Sequence, residues 1–95
     1  MKIKIFGKQN CAKCETTKNK LNHFLKKNNR SSLPGIEFYD MDTVEGMAES
    51  AYHDVLHVPT TIIENNGQTL KRWDGEVPNT QDFQPVLIAN PLDAS

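Results

Sequence analysis

The stretch Lys2-Ile3-Lys4-Ile5-Phe6-Gly7, leading through Lys8-Gln9-Asn10 into Cys11-Ala12-Lys13-Cys14, decides how the rest of the chain is read. Charged and apolar residues alternate from Lys2 to Phe6, the period of a half-buried strand, and Gly7 ends it. From Cys11 to about Asn28 the period changes. Cys14, Thr17, Leu21, Phe24 and Leu25 recur at spacings of three and four, which predicts one buried stripe on a helix otherwise covered by Lys and Asn. The two cysteines therefore open a helix that follows directly on a strand.

Working outward, Arg30-Ser31-Ser32-Leu33-Pro34-Gly35 is turn chemistry, and Ile36, Phe38 and Tyr39 predict a second strand to Asp40 or Met41. Strand, helix, strand is a right-handed crossover unit. Thr43 is the expected N-cap of a helix from Val44 to about Val55, with Met47, Ala48, Ala51, Tyr52 and Val55 on its buried face despite Gly46 in its first turn. Thr60 to Glu64 reads as a strand, Asn65-Asn66-Gly67 as a hairpin turn, and Gln68 to Trp73 as the antiparallel return with Leu70 inward. Trp73 is expected to pack, and Asp74-Gly75 to end the strand. Asn79 or Thr80 caps a last helix carrying Phe83, Val86, Leu87 and Ile88, which Pro85 should keep short or kinked. Residues 90–95 are expected to fray.

With 95 residues, 37% hydrophobic and 24% charged, the chain has the size and composition of one soluble globular domain, 1–95, and no apolar run near the roughly 20 residues that span a bilayer. The net charge of −1 argues against a nucleic-acid-binding field over the whole molecule, but it conceals an asymmetry. Residues 1–30 sum to +8 and residues 31–95 to −9, so one region is positive and another negative. Two cysteines three apart close a loop too small to act as a structural staple. No signal-peptide pattern precedes them, and a cytoplasmic location is expected.

A helix N-terminus favours a thiolate over a thiol, because its unpaired N–H groups and dipole stabilise negative charge. Cys11 is thus the expected nucleophile. Cys14, one turn further in, is the resolving thiol that attacks a mixed disulfide formed on Cys11. A competing reading makes Cys11 and Cys14 metal ligands assisted by His23, His53 or His57, although no second C-x-x-C or H-x-x-x-H completes a tetrahedral set. The third reading, two small buried hydrophobes, fits poorly with an exposed helix start. Lys13, between the cysteines, adds positive charge or is simply solvated.

A strand running into C-x-x-C at a helix start, with Val58-Pro59-Thr60 entering a strand 48 residues after Cys11, resembles the thioredoxin superfamily, and glutaredoxin-like redoxins in particular. The resemblance implies a thioredoxin-like α/β fold, β-α-β-α-β-β-α, with a four-stranded mixed sheet flanked by three helices. It implies thiol-disulfide oxidoreductase activity through a Cys11–Cys14 cycle and a place for Lys8 beside the reactive thiol. It also implies a cis Pro59 whose loop, His57-Val58-Pro59, lies against the cysteines and offers Val58's backbone to an extended substrate. Asp74 and Gly75 occupy the segment where glutaredoxins hold glutathione.

The chain departs from thioredoxins in having Ile5 six residues before Cys11, where they carry a buried Asp, and in lacking their Trp and Gly-Pro around the cysteines. It departs from glutathione-binding glutaredoxins in having Ala12-Lys13 between the cysteines and Trp73-Asp74-Gly75-Glu76-Val77-Pro78 in place of their Gly-Gly-Asp. Expected partners are protein disulfides, with a thioredoxin-reductase-type flavoenzyme or glutathione as electron donor and an enzyme such as ribonucleotide reductase as a recipient. No bound cofactor or metal, no nucleic acid and no membrane are expected, and the protein should be a monomer. The non-enzymatic alternative keeps the fold and uses the cysteines as ligands in a metal-binding or protein-interaction module.

Overall fold

A computed structural model describes residues 2–27 and 35–89. β1 (Lys2–Gly7) is followed by α1 (Ala12–Lys27), β2 (Gly35–Asp40), α2 (Val44–Tyr52), β3 (Thr60–Asn65), β4 (Gln68–Asp74) and α3 (Thr80–Ala89). The strands form one mixed sheet in the order β2-β1-β3-β4. β2 lies parallel to β1, as a helical crossover requires, and β3 runs antiparallel to both β1 and β4. This is the expected architecture. The Arg30–Pro34 part of the expected turn and the expected fraying of 90–95 lie outside the described residues.

β1 is central because its alternation serves both faces. Ile3 and Ile5 are fully buried with Leu21, Phe24 and Leu25 of α1, Ile63, Trp73, and Phe83 and Leu87 of α3. Each such side chain contributes about 1.5–3 kcal/mol by leaving water. The stripe expected on α1 is the one observed, and Glu15 in the first turn and Lys26 and Lys27 in the last complement the helix dipole. Trp73 and Phe24 each meet Phe83 edge-on, with ring centroids 6.5 and 5.3 Å apart. Asn66 and Gly67, at φ 55° and 80°, make the two-residue hairpin turn between β3 and β4.

Two expectations for the later helices are corrected. Of the face assigned to α2, Val55 is buried just beyond the helix, but Met47 and Tyr52 are exposed, as are Ala48 and Ala51. The inward face is instead Gly46, Glu49, Ser50 and His53, at i, i+3, i+4 and i+7, about 100° away from the Met47 row. A Cβ on Gly46 would collide with the Asp40 carbonyl, so α2 approaches the end of β2 through bare backbone. The helix ends at Tyr52, three residues early, with Thr43 as its N-cap accepting from Gly46 N–H at 3.0 Å. In α3, Pro85 is the sixth helical residue, and the helix still continues to Ala89. Buried Phe83 and Leu87 on either side hold the turn whose backbone bond Pro85 cannot make. Asn79 caps it, its Oδ1 accepting from Gln81 N–H at 2.9 Å.

On the α2 face the sheet is polar at its centre. Lys4 Nζ lies 3.3 Å from both Glu49 and Glu64 carboxylates and 3.1 Å from His53 Nε2. Burial alone would push Lys4 down, but its hydrogen bonds to Glu49 and Glu64, and their charges, hold it above the ordinary lysine value. Phe6, Val55 and Ile62 form the apolar part of this face, and Tyr39 stacks on Phe6 at 5.1 Å.

Candidate active site

The register gathers the chemistry at one edge of the sheet. Phe6 of β1 sits opposite Thr60 of β3, and Thr60 opposite Asp74 of β4. β1 therefore delivers the chain to Cys11 at the edge where Pro59 enters β3 and Gly75 leaves β4.

Cys11 is the N-cap of α1. Its Sγ accepts the Cys14 N–H at 3.1 Å and its carbonyl accepts Glu15 N–H at 3.1 Å, so the sulfur occupies the place where Ser or Asp usually caps a helix. Cys11 is partly exposed, whereas Cys14 is 1% exposed. The two sulfurs form a disulfide, with Cα atoms 5.2 Å apart, within the range such a bridge requires. A Cβ on Gly7 would come within 2.8 Å of Cys14 Sγ and 3.1 Å of Phe38 Cζ. Glycine at the end of β1 lets the strand close over the buried cysteine, a requirement that its place at the end of the strand pattern does not reveal.

The Val58–Pro59 peptide is cis, and Pro59 is buried. Its carbonyl accepts Gly75 N–H at 2.8 Å, and Thr60 Oγ1 donates to the His57 carbonyl at 2.7 Å, so loop and strand ends are tied together. Among the described residues, Val58 N–H and C=O make no hydrogen bond. His57 is exposed, with its Cβ beside Gly75. Lys8 lines an open groove beside Cys11, and Lys13 is exposed in the first turn of α1.

Asp74 is already engaged. Arg72 Nε lies 3.0 Å from both of its carboxylate oxygens, while the same guanidinium donates to the His53 carbonyl at 2.5 Å and the Asp54 carbonyl at 3.0 Å. Arg72 thus fastens β4 to the start of the segment that leads to Pro59. This residue escaped the sequence analysis, although Arg and Asp two apart on one strand share a face and are a legible pair.

The histidines weighed as metal ligands are dispersed: His23 is exposed on α1, His53 packs against Lys4, and His57 lies by Gly75. Among the described residues no three His, Cys, Asp or Glu side chains group in a way that would hold a metal ion. A groove of about 790 Å³ between α1 and α3 is lined by Lys20, His23 and Thr80 and contains neither cysteine. The groove at Cys11, about 550 Å³, is the one in contact with the chemistry.

Comparison with solved structures returns thioredoxins. Thioredoxin 1 of Thermosipho africanus TCF52B is 24% identical over 94% of this chain and 93% of its own, with a TM-score of 0.72. Thioredoxin-2 of the malaria parasite is 18% identical over 93% and 81%, at 0.74, and Fasciola hepatica thioredoxin is 20% identical over 92% and 77%, at 0.68. At these identities the likeness shows the fold. No curated protein sequence matches significantly. The sequence family described as the thioredoxin domain matches residues 1–88, and with that match spanning nearly all of the fold and both cysteines, the chain belongs to the thioredoxin family.

Proposed function

We propose that the protein is a thiol-disulfide oxidoreductase of the glutaredoxin-like redoxin type, cycling between the Cys11–Cys14 dithiol and disulfide. The observation that carries this reading is the placement of Cys11 Sγ at the N-cap, partly exposed and accepting a backbone N–H, with Cys14 buried one turn behind it. On reduction the N-cap geometry favours a Cys11 thiolate. That thiolate attacks one sulfur of a substrate disulfide, and the other substrate sulfur leaves as a thiolate. Cys14 then loses its proton and attacks Cys11 Sγ, which releases the second substrate thiol and closes the Cys11–Cys14 disulfide. Two electrons pass from the dithiol to the substrate, and an external dithiol or two thiols must return them.

The unpartnered Val58 backbone, at the same sheet edge as Cys11, suits an extended protein segment pairing beside the cysteine under attack. Protein disulfides are therefore the substrates we assign, with Lys8 at the thiolate and His57, Val58, Pro59 and Gly75 forming the opposite wall. Asp74 supports that wall through Arg72. Either a flavoenzyme of the thioredoxin-reductase type or glutathione serves as electron donor, and ribonucleotide reductase is a recipient of the right chemistry. We place this activity in the reducing cytoplasm, in a monomer, on cysteine usage and composition.

Mutants test the assigned roles. Cys14→Ser should accumulate a mixed disulfide through Cys11 that mass spectrometry resolves, and Cys11→Ser should abolish disulfide reduction. Equal residual activity in the two variants would remove the assignment.

A further inference from the structure

The sheet order places two different flanks beside Cys11. β3, entered from Val58-Pro59, lies on one side of β1, and β2 lies on the other. The open groove of about 550 Å³ is on the β2 side: it starts at Lys8, Asn10 and Cys11, runs past Glu15, and ends at Lys18 over Phe38. Phe38 is a strand residue, yet 39% of it is exposed, and Lys18 Nζ is held 5.5 Å from its ring centroid. Neither Lys8 nor Lys18 forms an ion pair among the described residues, and the groove's one acid, Glu15, leaves an excess of positive charge. An apolar floor under an unpaired ammonium matches a side chain with both carbon surface and a carboxylate.

We propose that this groove is a second recognition arm of the Cys11 site, in which Lys18 and Phe38 hold an acidic residue two or three positions from the disulfide cysteine of an extended protein substrate. The proposal rests on the oxidoreductase reading and names which protein disulfides that site prefers. The spacing follows from geometry. Lys18 lies seven residues along α1 from Cys11, about 10 Å of helix, and an extended segment covers that distance in about three residues. A substrate strand that pairs with Val58 on the β3 side crosses Cys11 and reaches the groove with the residues beyond its cysteine. Charge complementarity selects the occupant, because the groove's charged residues, Lys8, Glu15 and Lys18, all lie in residues 1–30, which sum to +8.

The test uses disulfide-linked peptide pairs identical except for Glu, Gln or Lys at the second and third positions from the attacked cysteine. Rates of reduction are read as kcat/KM for the wild type, Lys18→Glu, Lys18→Gln and Lys26→Glu. Wild type should favour the Glu peptide over the Lys peptide by about two- to fivefold, the size expected of one partly exposed charge contact. Lys18→Gln should flatten that ratio and Lys18→Glu should invert it, so that two independent variants report the same contact. Lys26→Glu changes the net charge equally, eight residues further along α1, and should leave the ratio as it was.

A wild-type ratio near one overturns the proposal, as does a ratio that Lys26→Glu reduces as far as Lys18→Glu does, since that is a long-range field and not a groove. Lys18-dependent reduction of glutathione disulfide without any peptide preference also overturns it, by giving the groove to a small carboxylate-bearing thiol. Failure of the underlying reading looks different: the wild type then reduces none of the peptides, and the proposal falls with it.

Discussion

Replacing Lys4 by methionine should cost about 3 kcal/mol of folding stability. Lys4 sits between the Glu49 and Glu64 carboxylates, 3.3 Å from each, with only 11% of its side chain and of Glu64's exposed. Methionine keeps the length of the stem and removes the ammonium, leaving two carboxylates facing each other across an apolar chain. Breaking a buried charge pair in this way costs about 3–5 kcal/mol. The lower end applies here, because Glu49 is 34% exposed and can turn towards water. For a domain of this size the corresponding fall in Tm is about 12–24 °C.

Urea unfolding followed by Trp73 fluorescence reads the effect, since Trp73 is 5% exposed and loses its surroundings on unfolding. Adding Glu64→Gln to Lys4→Met should recover a large part of the loss by removing one of the stranded charges. Because Lys4 is held above its ordinary value of 10.5, its contribution is complete below pH 10.5 and is lost only as pH rises through the higher folded value. A comparison at pH 7 therefore reads the whole interaction. A cost below about 1 kcal/mol, or a double variant no more stable than Lys4→Met, would refute the claim that the ammonium holds this face together.

Thr61 Oγ1 is buried without a hydrogen-bond partner among the described residues, so Thr61→Val should stabilise the fold by about 1 kcal/mol, read as a rise in Tm. Gly46→Ala should destabilise by about 1–2 kcal/mol, because overpacking against the Asp40 carbonyl outweighs the better helix propensity of alanine; an unchanged urea midpoint would show that α2 shifts freely. Burial, followed by the hydrogen bond to Glu37, pushes the Tyr39 phenol up to about 12. Its contribution to stability is therefore present below pH 10 and fades as pH climbs towards 12, and an absorbance titration should show a phenol ionising near 12 that Tyr39→Phe removes.

The parts of this fold that were legible in the sequence are those whose burial is apolar and one-sided. α1 shows its stripe because Thr17, Leu21, Phe24 and Leu25 face one core, and the Asn66-Gly67 turn shows itself because few other residue pairs accept two positive φ values. α2 misleads for the opposite reason. Its inward face is a glycine, a serine, Glu49 and His53, the last two meeting Lys4, so a periodicity of apolar residues marks the side turned to solvent. Pro85 is read as keeping the last helix short or kinked because propensity is local, whereas Phe83 and Leu87 anchor the turns on either side of it through tertiary packing.

At the site, the cysteine pair is visible because chemistry and helix start coincide in four residues. The role of Val58-Pro59 is visible only through a family resemblance, since a chain-distant loop reaches the cysteines through sheet register. Phe38 and Lys18 were readable as an ordinary strand residue and a solvated lysine. Only the crossover that lays β2 beside α1 brings Phe38 under Lys18, in the groove that opens at Cys11.

The central claim is that Cys11 and Cys14 form a working dithiol couple. Its most direct test is a redox titration of the metal-free protein across dithiothreitol and glutathione buffers, counting free thiols and measuring mass at each potential. The account predicts that both thiols disappear together with the loss of two hydrogen atoms' mass, at a midpoint between about −300 and −120 mV, a window that contains the redoxin couples. Thiols that stay reduced throughout this range, or that oxidise one at a time, would contradict it.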